Sequence, residues 1–297
     1  MIDQQATGLI NSIMTAALWA LTGIFVKLLS EIPALDILFY RSLVAFLFFL
    51  LAIIYKKKAL SLFSIPTKRA LLASGLMFFY YTSATLSFYL APVAAAAIFI
   101  STSPCFAMLI KSINGIRPKA KEVMGFSISF ASLTLFVLAA KGDFGGYSYN
   151  ATIIGSLLGI SAGFFRALYS FLLWRKAEQQ SDLNHISINT FIIAIIVLSP
   201  IHFIHSDEQA FQTFDYLYIV CLGVFATALP NLLHSLASEK VDPTIHSVVG
   251  TLTPVIAAVL AWFIFNEKIP LLGVFAIAGS LAGILIMTLP IKRTRSL

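Results

Sequence analysis

Charge is what this 297-residue chain has least of: 11% of its residues are Asp, Glu, Lys or Arg, against about 25% in an ordinary soluble domain. With 59% hydrophobic residues beside that deficit, a water-soluble globular protein is excluded. A soluble chain of this length could bury one good core, but not this much apolar surface, and the surplus must face lipid. Carboxylates are the scarcer sign, 13 against 20 Lys and Arg, and none lies deep in an apolar stretch. Cysteine is limited to Cys105 and Cys221, both inside hydrophobic segments, so neither a disulfide framework nor a thiolate metal site is expected. These two read as small apolar packing residues. No intramembrane Asp pair, His-Glu-x-x-His or Ser-His-Asp arrangement is present, which argues against a membrane-embedded enzyme. No cofactor is expected. No Pro/Gly/Ser-rich linker separates a soluble domain.

What the chain does have is long hydrophobic runs. Crossing the hydrocarbon core takes about 20 apolar residues. Ten segments qualify, at 8–30, 35–55, 69–90, 93–112, 121–140, 151–174, 185–205, 214–235, 244–265 and 270–290. The first has no basic residue before it and is longer than a signal-peptide core, so it reads as a retained helix. Most connections are short, which makes sequential helices antiparallel neighbours. The expected fold is an all-α integral membrane protein with ten transmembrane helices.

The net charge of +7 resides in the loops. With a cytoplasmic N-terminus, the cytoplasmic side holds Lys56, Lys57, Lys58, Lys68, Arg69, Lys111, Arg117, Lys119, Lys121, Arg175, Lys176, Lys240, Lys292, Arg293 and Arg295. That is 15 cations, against only Lys141 and Lys268 on the opposite side. The positive-inside bias then places both termini in the cytoplasm. The same pattern explains the basic pI without a nucleic-acid partner, since no basic and aromatic patch resembles a nucleic-acid module. The lipid bilayer is the expected partner, with the chain a monomer or a homodimer.

An internal repeat organises the ten segments. Residues 91–104 read Ala-Pro-Val-Ala-Ala-Ala-Ala-Ile-Phe-Ile-Ser-Thr-Ser-Pro, and residues 241–254 read Val-Asp-Pro-Thr-Ile-His-Ser-Val-Val-Gly-Thr-Leu-Thr-Pro. Their hydroxyl-x-hydroxyl-Pro ends, Ser101 to Pro104 and Thr251 to Pro254, are 150 residues apart. A unit of five helices is odd, so its second copy enters the membrane from the other side. Such inverted repeats belong to secondary transporters, whose sites lie between the halves. The halves are expected at 1–145 and 146–297.

At this point the chain resembles the drug/metabolite transporter superfamily, in particular its ten-helix EamA-type branch. The likeness rests on Leu18-Trp19-Ala20 with Lys27, on Phe39-Tyr40-Arg41, and on Thr253-Pro254-Val255-Ile256-Ala257-Ala258 followed by Phe265-Asn266-Glu267-Lys268-Ile269. It spans essentially the whole chain. One departure is that the first half has Gly115-Ile116-Arg117-Pro118 where the family often places a Gly-Glu like that at Glu267. The resemblance implies two EamA-like five-helix repeats in a bacterial inner membrane. It also implies movement of small metabolites such as amino acids, outward, by alternating access. Uptake or exchange of nucleotide-like or cofactor-like metabolites is the nearest alternative, and a lipid-handling or assembly role is a different class.

Particular residues then acquire expectations. Pro104 and Pro254 each remove a backbone donor and free the carbonyl of Ile100 or Gly250. Two readings stay open for them, a fixed kink or a hinge, and Gly250 one turn before Pro254 favours a hinge in the ninth segment. Gly155, Gly159 and Gly163, like Gly279 and Gly283, give smooth faces for close helix approach.

Lys27 and Arg41 lie near Glu31 and Asp36, close enough to the segment ends to snorkel outward. Arg166 sits about eight residues, roughly 12 Å at helical rise, from the end of its segment. An unpaired Arg there should face the interior or water. Its partner would be a carbonyl, a hydroxyl or an anionic group of the substrate.

Polar stripes mark the cavity walls: Asn11, Thr15, Trp19 and Thr22 in the first segment, Tyr80, Tyr81 and Thr85 in the third, Thr227, Asn231 and His234 in the eighth, His246 and Thr253 in the ninth. Trp19, Thr15, Tyr80, Tyr81, Arg166, Asn231 and His246 are the expected substrate-binding residues, with Pro104, Gly250 and Pro254 as hinge residues. His202, His234 and His246 lie toward segment ends and read as satisfied interfacial histidines, so proton coupling is unsupported.

Overall fold

The computed structural model describes residues 2–55, 67–115, 117, 119–139, 147–174, 182–205, 211–238, 249–250, 252–266 and 271–288. The elements run α1 (Ile2–Leu28), α2 (Ala34–Tyr55), α3 (Lys68–Leu90), α4 (Val93–Ile100), α5 (Ser103–Ile113), α6 (Ala120–Ala139), α7 (Tyr149–Trp174) and α8 (Asp182–His205). They continue with α9 (Thr213–Gly223), a π-helical turn (Val224–Ala228), α10 (Leu229–Ser238), α11 (Leu252–Phe265) and α12 (Leu271–Thr288). Among the described residues, seven helical stretches are long and apolar enough to cross a membrane. Shorter apolar helices, Val123–Ser132, Leu252–Phe265 and Val274–Gly283, occupy three of the expected spans. Large apolar side chains ring the outside: Leu51, Phe203, Ile204, Trp262 and Phe263 are all exposed. In water that surface would be costly; in lipid it is the solvent-matched face.

Helices on the two sides of residue 145 interdigitate. α1 packs on α10 and α11, α2 on α8 and α9, and α3 on α7 and α8. α6 and α12 form a pair of their own, in which Gly279 and Gly283 admit Ser132 and Ser129 of α6 where a Cβ would collide with them.

The glycine face of α7 meets the other half. A Cβ on Gly155 would lie 2.7 Å from the Ala91 Cβ, one on Gly159 2.8 Å from the Phe99 Cβ, and one on Gly163 2.6 Å from the Thr102 Oγ1. So the stripe expected as a packing face seats the α3–α4 turn, α4 and the α4–α5 junction in succession. α4 is buried over its whole length, as an Ala-rich helix with no polar face must be.

Proline chemistry decides how the spans bend. Pro104 does not kink a continuous helix: the chain breaks at Ser101–Thr102, and Pro104 enters the first turn of α5, where its missing N–H costs nothing. Hydroxyls cover carbonyls at the break, Ser101 Oγ donating to Ala97 O at 2.8 Å and Thr102 Oγ1 to Phe99 O at 2.7 Å. Pro200, inside α8, cannot donate to the Ile196 carbonyl, and Ser199 Oγ does so instead at 3.3 Å. Pro230, just past the π turn, leaves the Ala226 carbonyl without its helical donor, and Thr22 of α1 supplies one at 3.3 Å. The carbonyls freed by Pro200 and Pro230 thus each take a hydroxyl donor, as a backbone group in lipid requires.

Candidate functional site

A narrow cavity, with room for about one water molecule, lies where six elements from both sides of residue 145 converge. Its walls are Trp19 and Thr22 of α1, Arg41 of α2, Tyr80, Tyr81, Ala84 and Phe88 of α3, Ala97 and Ile100 of α4, Ser101 of the break, Arg166 of α7 and Thr253 of α11. The polar stripes of α1 and α3 turn inward here, as polar faces in a lipid-bathed bundle must.

Arg166 reaches the cavity from a helix whose glycine face is committed to the opposite half. Its guanidinium stands 4.6 Å from the centre of the Trp19 ring, a cation–π stack. A Cβ at Gly250 would sit 3.8 Å from Arg166 Nη2, so the backbone of the expected hinge passes close to this charge. Trp19 is 6% exposed and also meets Tyr80 at 6.4 Å and His234 at 5.2 Å between ring centroids. Tyr80 in turn leans on Tyr81 at 5.1 Å. Trp19, Tyr80, Tyr81 and Arg166 are thus brought together around one cavity.

Arg41 corrects the reading of an outward-snorkelling cation. It is 1% exposed and points into the bundle. Its Nε and Nη2 donate to Thr227 Oγ1 at 3.0 and 2.7 Å, and its Nη1 donates to Thr85 Oγ1 at 2.9 Å. Thr227 sits in the π turn and passes its own proton to the Leu222 carbonyl at 2.8 Å, which leaves both oxygen lone pairs for the guanidinium. The extra residue in that turn is what aims Thr227 at Arg41, a use of π bulges common at functional sites. The Tyr81 ring centre lies 5.2 Å from the guanidinium carbon. The Asp36 carboxylate is engaged elsewhere: Oδ1 meets His202 Nδ1 at 2.7 Å, while His202 Nε2 meets the Tyr40 hydroxyl at 3.2 Å and Phe39 stacks on the ring at 4.7 Å. His202 is therefore a satisfied histidine, as read. Lys27 caps the Tyr147 ring at 3.6 Å.

Other expected site residues lie elsewhere. Thr15 is buried and donates to the Asn11 carbonyl of its own helix at 2.7 Å, off the cavity wall. Asn231 is buried and donates to Ser187 Oγ at 3.0 Å, tying α10 to α8. Pro254 is buried at the start of α11, and its neighbour Thr253 donates to the Ala16 carbonyl at 3.2 Å. His246 and Glu267 lie outside the described residues.

Arg41, Phe88 and Ser101 are wall residues that sequence reasoning left out of the site. For Arg41 the signals were present, an arginine in an apolar run with Thr227 on a polar stripe and Pro230 three residues on. Only the bundle geometry joins them.

The fold is thus that of a helical, multi-pass membrane protein with a charged and aromatic cavity between elements from both sides of residue 145. The profile of the EamA-like transporter family matches the chain twice, over residues 6–138 and 153–289, and the chain belongs to that family. It is 25% identical over 268 residues to an uncharacterized transporter of Archaeoglobus fulgidus, covering 86% of this chain and 88% of that one. It is 22% identical over 302 residues to the uncharacterized transporter YojE of Bacillus subtilis, covering 95% and 93%. A solved crystal structure superposes with a TM-score of 0.67 at 16% identity, over 95% of this chain and 96% of the other, which speaks to the fold alone.

Proposed function

We propose that the chain is a secondary transporter of small organic metabolites, amino acids or similar compounds, working by alternating access across the cytoplasmic membrane and exporting them. The observation that carries this reading is the cavity itself. Six elements drawn from both halves line it, and Arg166 stands in its wall with an aromatic ring as its contact. A cavity shared by two halves can open to one side and then the other if the halves rock. Family membership and relatives named as transporters support a carrier rather than an enzyme.

In this reading ten helices form two inverted five-helix repeats with both termini in the cytoplasm. The glycine face of α7, seated on the α4–α5 break, is the surface along which the halves shift. The hinge role falls to the break before Pro104 and to Gly250–Pro254.

Purified protein in liposomes loaded with an isotopically labelled metabolite extract tests the proposal, with efflux of each compound followed by mass spectrometry. A discrete subset should leave faster than from protein-free vesicles, and Arg166→Ala should abolish that subset's efflux. Identical leak of every compound with and without protein overturns the carrier reading.

A further inference from the structure

We infer that the substrates of this cavity are organic anions, carried with their negative group toward Arg41 and Arg166 and their apolar body against the aromatic wall. The inference rests on the carrier reading above and replaces its amino-acid substrates with organic anions. Two guanidinium groups line one small cavity, and no carboxylate is among the described residues that line it. The acidic residue nearest in sequence to Arg41 on α2, Asp36, is held by His202. Among the described residues Arg41 is anchored by neutral hydroxyls and the Tyr81 ring, and Arg166 by the face of Trp19. Hydroxyls and ring faces orient a guanidinium but leave its charge in place.

The donor inventory points the same way. Arginine carries five N–H donors, and the three bonds Arg41 makes to Thr85 and Thr227 leave two over. Two other wall residues have buried polar atoms with no partner among the described residues, Trp19 Nε1 and Tyr81 Oη. Buried donors without acceptors are costly and rare in a native interior, and several around one cavity specify an acceptor-rich ligand. A carboxylate or phosphate oxygen meets that demand and matches the guanidinium fork.

A zwitterion would bring an ammonium group next to two cations with only hydroxyl and carbonyl oxygens to receive it. A cation would be excluded outright. This sets aside the amino-acid zwitterions that the resemblance implies in favour of acids without the compensating ammonium. The cavity as it stands holds about one water, so a substrate enters as the halves part. Phe88, Ala84, Ala97 and Ile100 with the tyrosines then offer an apolar wall to its aromatic or aliphatic body.

The test is a matched panel offered to the full-length protein in detergent. It contains aryl and alkyl carboxylates, each with its primary amide, its α-amino acid counterpart and the corresponding phosphate monoester. Binding is read from Trp19 emission, with Trp19→Phe as the blank, and flux from efflux in liposomes. At least one anion should bind about 10-fold or more tighter than its amide and its amino acid. Arg166→Gln should erase that ratio, and Arg166→Lys should keep part of it.

The better of the carboxylate and phosphate arms identifies the head group. Equal or better binding of the amides or amino acids overturns the anion assignment, as does no response to any panel member. The metabolite-efflux experiment still decides the carrier reading in either case. If Arg166→Gln is not monodisperse on gel filtration, the wild-type ratios alone decide.

Discussion

Replacing Thr227 by Val keeps the shape of the side chain and removes the one oxygen that receives two bonds from Arg41. The bonds run to a charged donor with 1% exposure, so each belongs to the class worth about 1.5–3 kcal/mol rather than the roughly 0.6 kcal/mol of a neutral interhelical bond. Two of them give a gross loss of about 3–6 kcal/mol. Water in the adjoining cavity can take one freed donor, which lowers the expected loss to about 2–4 kcal/mol. Thr227→Ser keeps the hydroxyl and should lose less than half as much.

The assay is reversible unfolding in mixed micelles by denaturing-detergent titration, with the Arg41→Met and Arg41→Met/Thr227→Val proteins completing a double-mutant cycle. Coupling above about 1.5 kcal/mol is expected between the two positions. Loss within about 0.5 kcal/mol of wild type for Thr227→Val, or additive single mutants, would refute the claim that this hydroxyl holds the buried guanidinium.

Two further expectations concern the packing and the topology. Gly163→Val should destabilise the fold and block flux, since even a Cβ there comes within 2.6 Å of Thr102 Oγ1, whereas Gly75→Ala, with nothing within 4 Å, should be neutral or stabilising by up to about 1 kcal/mol; melting curves of the two check this. In a background with Cys105 and Cys221 replaced, a cysteine at Thr7 should react with an impermeant thiol reagent only when the cytoplasmic face is exposed; labelling from outside intact cells would reverse the orientation deduced from the loop charges.

Much of the membrane architecture could be read along the chain, because lipid acts on composition. A segment that must shield every backbone group becomes a helix, and an apolar exterior follows whatever the neighbours are. Gly155, Gly159 and Gly163 announced a close approach by spacing alone. So did the cavity residues Trp19, Tyr80, Tyr81 and Arg166, since aromatic and charged groups in mid-segment have nowhere to go but inward. Thr15 and Asn231 carried the same signal and went to structural bonds instead, to Asn11 and Ser187. A stripe states which way a side chain faces; it cannot state whether a partner is already waiting there. Pro104 shows a similar limit. Its ring forbids one hydrogen bond, but a kinked continuous helix and a fresh helix start both satisfy that constraint. The fold takes the second, with the Ser101 and Thr102 hydroxyls bonding carbonyls at the break.

Sequence by itself therefore determined that this is a helical membrane protein with an internal repeat and an EamA-type character. The first follows from how many residues are apolar and in what runs; the second from the spacing of the Pro104 and Pro254 segments; the third is what the resemblance of the quoted motifs implies. Tertiary structure decided what happens to Arg41. Near Asp36 in the chain, it reads as a surface cation; in the fold, Asp36 is taken by His202, and a π turn more than 180 residues away presents Thr227 to receive the guanidinium. Electrostatic partnership depends on distance through space and on which competitor arrives first. For that reason the character of the cavity, two arginines and no carboxylate among the described residues of its wall, emerges only when the helices are packed.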